Sequence, residues 1–272
     1  MNLLLFALSL ALTLVAAVAF VAHVTSGREG AHRVALGALW AAFGLETLAL
    51  ALRFASVGAG VLDSFHDHLS LLAWLLVGCY LALQARIRLD VLGALVSPLA
   101  FLLNLSSYLF YSGTETLPPE LRTAWLPAHV APAFLGYAIL VLASCVSLVY
   151  LLQERRLKAK RPGRLHRLPS LETLDELNYR CVAWGFALFT LGIVTGALLA
   201  KTTWGVFWVW EPVQVLSVLA WLVYAMLLQA RSLGWRGRRA ATLTLAGFGL
   251  LLVTLLSFSV NFGVPHGRTF GG

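Results

Sequence analysis

Charged side chains are scarce in this chain. Only 12% of its 272 residues are charged, whereas 60% are hydrophobic, and the mean hydropathy is +0.83. In soluble globular proteins about a quarter of the residues are charged, so this composition excludes that class. It indicates a polytopic membrane protein.

Cysteines are also few. Cys79, Cys145 and Cys181 stand singly, within or at the ends of apolar segments, and no Cys-x-x-Cys is present. This pattern excludes a disulfide framework and a thiol relay. If the outer face of this protein handles thiol chemistry, the thiols belong to another protein.

Long polar stretches are absent as well, so the chain has no room for a separate soluble domain. About 20 apolar residues cross a bilayer as a helix, which satisfies its own backbone hydrogen bonds in lipid. We therefore expect an all-α fold with one domain over residues 1–272. Without a basic leader or a cleavage site, the first apolar segment is expected to remain a helix. Eight spans are predicted, at about 3–24, 33–55, 68–85, 91–111, 128–152, 179–200, 213–230 and 240–261.

Basic residues are distributed unevenly about these spans. Sixteen of the 20 Lys and Arg residues fall in or beside the connections after spans one, three, five and seven. The other four are Arg53, Arg122, Lys201 and Arg268. Because Lys and Arg are retained on the cytoplasmic side, both termini and the segment around Trp204 are predicted to lie outside the cytoplasm. The basic run at 155–167 is expected to meet anionic membrane lipids, not nucleic acid.

An aromatic segment, Trp204-Gly-Val-Phe-Trp-Val-Trp-Glu-Pro, lies between spans six and seven, where a short polar turn is usual. One or two tryptophans there would be explained as an interfacial belt at headgroup level. Three of the nine tryptophans within seven residues instead predict a flat aromatic shelf for an apolar ligand. The site residues of this segment are Trp204, Gly205, Trp208, Trp210, Glu211 and Pro212.

Two histidines are predicted on the same outer side. Pro127 and Pro132 flank His129 at the start of span five, and the first turn of a helix tolerates proline. His266 follows Pro265 just beyond span eight. Either imidazole alone would be explained as an interfacial side chain bonded to a loop carbonyl, but the two converge on the face that carries the tryptophans.

These residue types together fit a porphyrin. Neutral imidazole is the commonest metal ligand in proteins, and axial histidine is a standard ligand of haem iron. His129 and His266 are predicted to bind the iron from opposite sides, with the macrocycle on the tryptophans. The propionates would contact Lys201 or Arg268. A zinc site would need a third or fourth ligand and would have no use for the tryptophans.

Four other histidines and one intramembrane carboxylate are assigned other environments. His23 and His32 stand beside a basic turn and are expected to be solvated. His66 and His68 are two residues apart, so on a helix they would point to different faces, and direct metal ligation is not expected. Glu46 falls near mid-membrane, where a carboxylate is either functional or hydrogen-bonded to a neighbouring helix.

The segment from Trp204 to Trp221, with Tyr224-Ala after it, resembles the tryptophan-rich WWD motif of haem-handling membrane proteins, in particular the CcsA and HemX branch. The resemblance extends over nearly the whole chain. It implies that His129 and His266 match two external histidines, which are taken as axial ligands of a b-type haem presented for attachment to apocytochrome c. Other similar segments are Leu168-Pro-Ser-Leu-Glu-Thr-Leu-Asp-Glu-Leu, Gly192-Ile-Val-Thr-Gly and Gly234-Trp-Arg-Gly-Arg-Arg-Ala-Ala.

Three positions differ from the pattern of the cytochrome c assembly members. Glu211 replaces the usual Asp of the motif, which keeps the charge and adds a methylene, and Gln214 stands where Glu is usual. Gln229 replaces a histidine near the cytoplasmic end of span seven that is taken to help haem cross the membrane. The last difference favours the HemX-like branch.

The resemblance implies a haem-presenting protein in the cytoplasmic membrane of a bacterium, which works with a CcsB-like membrane protein as part of a cytochrome c haem lyase. No general acid or base is evident, so attachment would depend on positioning. One alternative is a HemX-like protein that senses or regulates haem metabolism without attaching haem. Another is a carrier of haem or another amphiphile, with Glu46 as its intramembrane residue.

Overall fold

The computed structural model describes residues 3–57, 65–109, 125–160 and 169–262. Within these ranges the chain forms eight α-helices and no strand. The helices are α1 Leu3–Ser26, α2 Glu29–Val57, α3 Phe65–Gln84, α4 Asp90–Leu109, α5 Trp125–Lys158, α6 Leu171–Trp204, α7 Pro212–Ser232 and α8 Arg238–Phe262. All of them are long and apolar enough to cross a membrane, which confirms the predicted all-α, multi-pass fold.

Two helices, α5 and α6, extend furthest beyond their predicted spans. Span five was expected to end near residue 152 and span six to begin near 179, whereas α5 continues to Lys158 and α6 begins at Leu171. Both extensions carry ion pairs four residues apart, which stabilise helices in water. The Lys158 ammonium lies 2.6 Å from Glu154, and α6 has an equivalent pair. Hydropathy falls where charges begin, but these helices continue beyond that point.

The bundle has two opposite ends, each identified by side-chain contacts between helix termini. At one end His23, near the end of α1, faces Asp90 at the start of α4, with 3.5 Å between Nε2 and Oδ2. At the same end Arg231 of α7 pairs with Asp175 of α6 at 2.7 Å. We call this the basic end, where α1–α2, α3–α4, α5–α6 and α7–α8 are connected. The opposite end, with the α6–α7 connection, is called the tryptophan end.

The closest helix pair is α5 and α6. A Cβ atom on Gly136 of α5 would lie 2.7 Å from the backbone nitrogen of Phe189, and one on Gly192 of α6 would lie 2.8 Å from the Cα atom of Ala133. Membrane helices associate through such small-residue contacts because lipid is as apolar as their side chains. This close approach determines where the first turns of α5 lie.

The outward faces of the helices remain apolar. Trp184 and Leu191 on α6 and Met226 on α7 are more than half exposed. In water, continuous apolar surface of this kind would promote association. In a bilayer it is the surface that contacts lipid.

Candidate functional site

The tryptophan loop, defined here as residues 204–212, depends on how α6 ends and how α7 begins. Gly205 has φ +77° and ψ −3°, a left-handed conformation that favours glycine, and its N–H donates to the Lys201 carbonyl at 3.1 Å. Pro212 supplies the fixed φ suited to the first position of α7. Glu211 before it is extended, with φ −83° and ψ 146°.

The aromatic rings of this loop are largely exposed. Trp204 is 51% exposed, Phe207 56% and Trp210 83%, whereas Trp208 is half-buried. The Trp208 and Trp210 rings meet edge to face, with centroids 5.8 Å apart and planes at 80°. The predicted shelf is therefore not a single plane. A flat ligand that lies on one of these two rings would meet the edge of the other.

Polar contacts hold the loop in shape. The Gln214 Oε1 atom accepts a hydrogen bond from the Val209 N–H at 2.9 Å. The Lys201 ammonium donates to the Gly205 carbonyl at 2.6 Å and lies 5.3 Å from the centroid of the Phe207 ring. An ammonium group has three donors, so Lys201 keeps capacity for an anionic ligand group.

One buried donor in the loop lacks a protein acceptor. The indole Nε1 of Trp208 is buried and makes no hydrogen bond within the ranges that the structure describes. An unsatisfied buried donor costs about 1–3 kcal/mol. A ligand oxygen bound here would remove that cost, and haem carries such oxygens on its propionates. The donor and the exposed rings beside it therefore fit an amphiphilic macrocycle.

His129 lies near the start of α5, against α6. Its Nδ1 atom is 2.8 Å from the carbonyl oxygen of Gly192. A carbonyl can only accept, so Nδ1 carries the hydrogen and Nε2 of the neutral ring keeps its lone pair. Metal-binding histidines are commonly oriented by such a bond from the second ring nitrogen. The acceptor is a helix carbonyl, not the loop carbonyl expected for a merely interfacial histidine.

Gly196 makes room for the His129 ring. A Cβ atom at Gly196 would lie 2.9 Å from Cε1 and 3.0 Å from Nδ1 of that ring. Trp204 follows eight residues later on α6, which is about 12 Å along the helix axis. The tryptophan loop therefore begins about two helical turns beyond the contact of His129 with Gly196.

Two predicted members of the site, His266 and Arg268, lie outside the described residues. Within the described ranges, the structure brings Lys201 into contact with the tryptophan loop and places His129 against α6. The pairing of the two histidines stays a prediction.

The second half of the aromatic motif belongs to the helical core. Trp221 donates from Nε1 to Thr190 Oγ1 at 2.9 Å, and its ring centroid lies 5.4 Å from that of Phe186. Tyr224 is fully buried against Gly247, where a Cβ atom would approach its ring to 2.7 Å. These contacts bind α7 to α6 and α8, so the exposed loop has a fixed base.

The remaining polar predictions have mixed outcomes. Glu46 is buried and accepts a hydrogen bond from Asn104 of α4 at 3.3 Å, which is the hydrogen-bonded alternative. The expectation that His23 and His32 are solvated is wrong for His23, which is only 5% exposed, and His32 is half-buried. The turn after α1 folds against the start of α4, so both rings face Asp90.

The chain is similar to known proteins over most of its length. The profile of the family described as "Cytochrome C assembly protein" matches residues 64–265. The chain belongs to the cytochrome c assembly protein family. The matched residues include His129 and the tryptophan loop, and they end one residue before His266.

Relatives of the family give the same assignment, and each is named "Cytochrome c biogenesis protein CcsA". The protein of Guillardia theta is 31% identical over 237 residues, which cover 79% of this chain and 78% of the relative. That of Synechococcus elongatus is 28% identical over 260 residues, with 78% and 79% covered. The Chlamydomonas reinhardtii protein is 31% identical over 227 residues, with 80% and 62% covered. The resemblance to CcsA proteins is thereby confirmed.

The sequence analysis named Gly196 only as the end of a segment similar to the family, and it did not name Asp90. Gly192 and Gly196 are four residues apart, the spacing of small residues that brings membrane helices together, so a close contact on this face of α6 was predictable. Asp90 carried no comparable signal, because its neighbours His23 and His32 come from two other helices.

Proposed function

We propose that this chain presents haem at the tryptophan end for attachment to apocytochrome c. Membership of the family supports a role in cytochrome c biogenesis. The observation that carries the haem-presenting role is the orientation of His129, whose Nδ1 is bound to the Gly192 carbonyl while Nε2 keeps a lone pair. Haem b is the substrate, with His129 and His266 as the proposed axial ligands.

Attachment joins haem vinyl groups to the cysteine sulfurs of a Cys-x-x-Cys-His segment. Each thiol S–H adds across one vinyl double bond, so a C–S bond forms and no group leaves. This chain does not supply the sulfur, since Cys145 and Cys181 are buried in helices and Cys79 is half-buried. Its contribution is to hold haem in one orientation with the vinyl groups open to the partner, which is catalysis by positioning.

The charged and polar groups around the loop would orient the propionates. Lys201 has donors left beyond its bond to the Gly205 carbonyl, and the indole N–H of Trp208 has no acceptor among the described residues. Arg268 is proposed as a third group. Together they would direct the propionate edge toward the loop and the vinyl edge away from it.

A second membrane protein is part of this proposal. The described connections of this chain are short, so they offer little surface for apocytochrome c. A CcsB-like protein with a larger extracytoplasmic part would supply it, and the two chains together would act as a cytochrome c haem lyase. The proposed location is the cytoplasmic membrane of a bacterium, as one multi-pass domain over residues 1–272.

The orientation in the membrane is testable with fused reporters. The asymmetry of Lys and Arg predicts that Gly272 lies outside the cytoplasm and that residues 158–166 lie inside. Alkaline phosphatase fused after Gly272 should therefore be active, and phosphatase inserted within 158–166 should be silent. The reverse pattern would place the tryptophan loop in the cytoplasm and would contradict the proposal.

The second candidate is a HemX-like protein that binds haem without attaching it. It is favoured by one position, Gln229, whose side chain is exposed on α7 near the basic end. A glutamine there removes the imidazole that the assembly members use. This candidate predicts the same haem site but no covalent product.

Covalent attachment separates the two candidates. The chain should be produced with a CcsB-like protein and an apocytochrome c in a bacterial host that lacks its own assembly system. Haem staining of the cytochrome after denaturing electrophoresis is expected with the unmodified chain and not with His129→Ala. A chain that purifies with haem but yields no stained cytochrome would support the HemX-like candidate. Absence of both would contradict both candidates.

A further inference from the structure

We propose that the basic end binds a divalent transition-metal ion of the zinc or ferrous-iron class, with His23, His32 and Asp90 as ligands. Each residue offers one ligand atom, and these atoms all lie within 4.8 Å of one another. The site is separate from His129 and from the tryptophan loop. The metal-site proposal does not depend on the proposed haem function.

The two imidazoles approach different oxygens of the Asp90 carboxylate, at distances close to those between two ligands of a tetrahedral ion. The Nε2 atom of His23 is 3.5 Å from Asp90 Oδ2, and Nδ1 of His32 is 3.4 Å from Asp90 Oδ1. Two ligand atoms that are each about 2.1 Å from a tetrahedral zinc ion lie about 3.4 Å apart. A direct bond between an imidazolium and a carboxylate is shorter, about 2.7–2.9 Å. The cluster is therefore spaced for an ion between its members.

The His23 ring is oriented for metal binding by a backbone carbonyl. Its Nδ1 atom is 3.0 Å from the carbonyl oxygen of Arg28, so Nδ1 carries the hydrogen and Nε2 of the neutral ring presents a lone pair. That lone pair faces the Asp90 carboxylate, and the two repel each other until a metal ion, or a proton on Nε2, lies between them. The same use of the second ring nitrogen orients many metal-binding histidines.

The surroundings of Asp90 and His32 also favour metal binding. The Gln84 side-chain amide donates to Asp90 Oδ1 at 2.7 Å, and its Oε1 accepts from the Leu89 N–H at 2.7 Å, which fixes the carboxylate. The His32 Nδ1 atom is buried and makes no hydrogen bond in the described part of the chain. Gln84 thus holds Asp90 in place, and His32 has a ring nitrogen with no hydrogen-bond partner among the described residues.

A cavity lies beside the cluster, next to His32. It has a volume of about 270 Å³, and its lining includes His32, Gln84 and Arg88. Three protein ligands leave the fourth tetrahedral position for water or another small ligand. Arg88 would favour an anion there. Bound in this way, the ion would also join the ends of three helices, α1, α2 and α4.

Zinc binding by the full-length chain in detergent tests the proposal directly. The protein is stripped with a chelator and dialysed against a series of buffered free Zn²⁺ concentrations, and bound zinc is measured by mass spectrometry. Iron is counted separately, so that haem does not interfere. We expect saturation at about one Zn²⁺ per chain, as in sites with a single set of three protein ligands.

Substitutions assign the site. The His32→Ala and Asp90→Asn variants are expected to weaken zinc binding by more than about 100-fold, since loss of a supporting partner alone costs about 10–100-fold. Gln84→Ala removes such a partner and should fall in that lower range. Asp90→Asn preserves the shape of the side chain, so it is the variant least expected to disturb folding. Glu154→Gln, which makes the same change in a carboxylate of α5 that pairs with Lys158, is the control and should not change zinc binding.

Three results would overturn the assignment. The first is an unmodified chain that binds no zinc, which would leave a hydrogen-bonded cluster only. The second is unchanged zinc affinity in both His32→Ala and Asp90→Asn. The third is loss of haem without loss of zinc in these variants, which would make the cluster part of a haem site.

Discussion

The polar cluster at the basic end and the tryptophan loop differ in how far their side chains are exposed to solvent. At the basic end, His23, His32 and Asp90 are drawn together and partly or wholly withdrawn from water. At the tryptophan end, the rings of Trp204 and Trp210 remain exposed. Burying polar groups costs free energy unless they are paired or bind an ion, and exposing large rings forgoes apolar burial. Under the two proposals, the buried polar cluster would bind a metal ion and the exposed loop a flat amphiphile.

Removing both proposed haem ligands should produce the largest effect, and it should change ligand binding at the tryptophan end only. The double variant His129→Ala with His266→Ala is expected to retain no haem in mild detergent. Its zinc binding at the basic end should be unchanged, because no proposed ligand is shared. Haem is measured as the pyridine haemochrome, and zinc by mass spectrometry. Normal haem content in the double variant would place the ligands elsewhere.

A single methyl group at Gly196 should test the His129 geometry more finely. The added Cβ atom would lie 2.9 Å from Cε1 of the His129 ring, so the ring must move. Overpacking of this kind costs about 1–3 kcal/mol, so haem affinity should fall by about 5- to 150-fold to the extent that this cost opposes binding. Haem titration of purified Gly196→Ala measures this change.

The matched control for that change is Gly249→Ala on α8. A Cβ atom there would meet nothing within 4 Å, and the gain in helix propensity, up to about 1 kcal/mol, is the same in both variants. Equal haem affinities in the two variants would show that the contact between Gly196 and His129 has no part in haem binding.

The exposed rings should give a smaller effect. Stacking on an aromatic side chain contributes about 1 kcal/mol beyond its area burial, so Trp208→Ala and Trp210→Ala are each expected to weaken haem binding about fivefold. Trp184→Ala is the control, because Trp184 is 70% exposed on α6 and lies far from the loop in sequence. If the tryptophans form only an interfacial belt, all three variants should bind haem equally.

The sequence was informative where a feature is continuous along the chain. Apolar runs predicted eight spans, and the structure has a helix at each of them. The tryptophan loop was predictable for the same reason, since its residues are neighbours in sequence. The extensions of α5 and α6 were missed because hydropathy measures only the part of a helix that lies in lipid.

The site at the basic end was not predictable in this way. His23, His32 and Asp90 come from three helices, and their proximity depends on the packing of α1 against α2 and α4. The edge-to-face arrangement of Trp208 and Trp210 likewise depends on the path of the loop backbone, which the count of tryptophans does not determine. Sequence indicates which residues are available, whereas packing determines which of them meet.

The optical spectrum of His129→Ala, recorded with and without imidazole, tests the central claim most directly. If Nε2 of His129 is an axial ligand, its removal should leave haem partly bound, shift the iron toward high spin, and allow added imidazole to restore the original low-spin spectrum by filling the vacant position. His266→Ala should behave in the same way. Unchanged low-spin spectra in both single variants without imidazole would contradict the account.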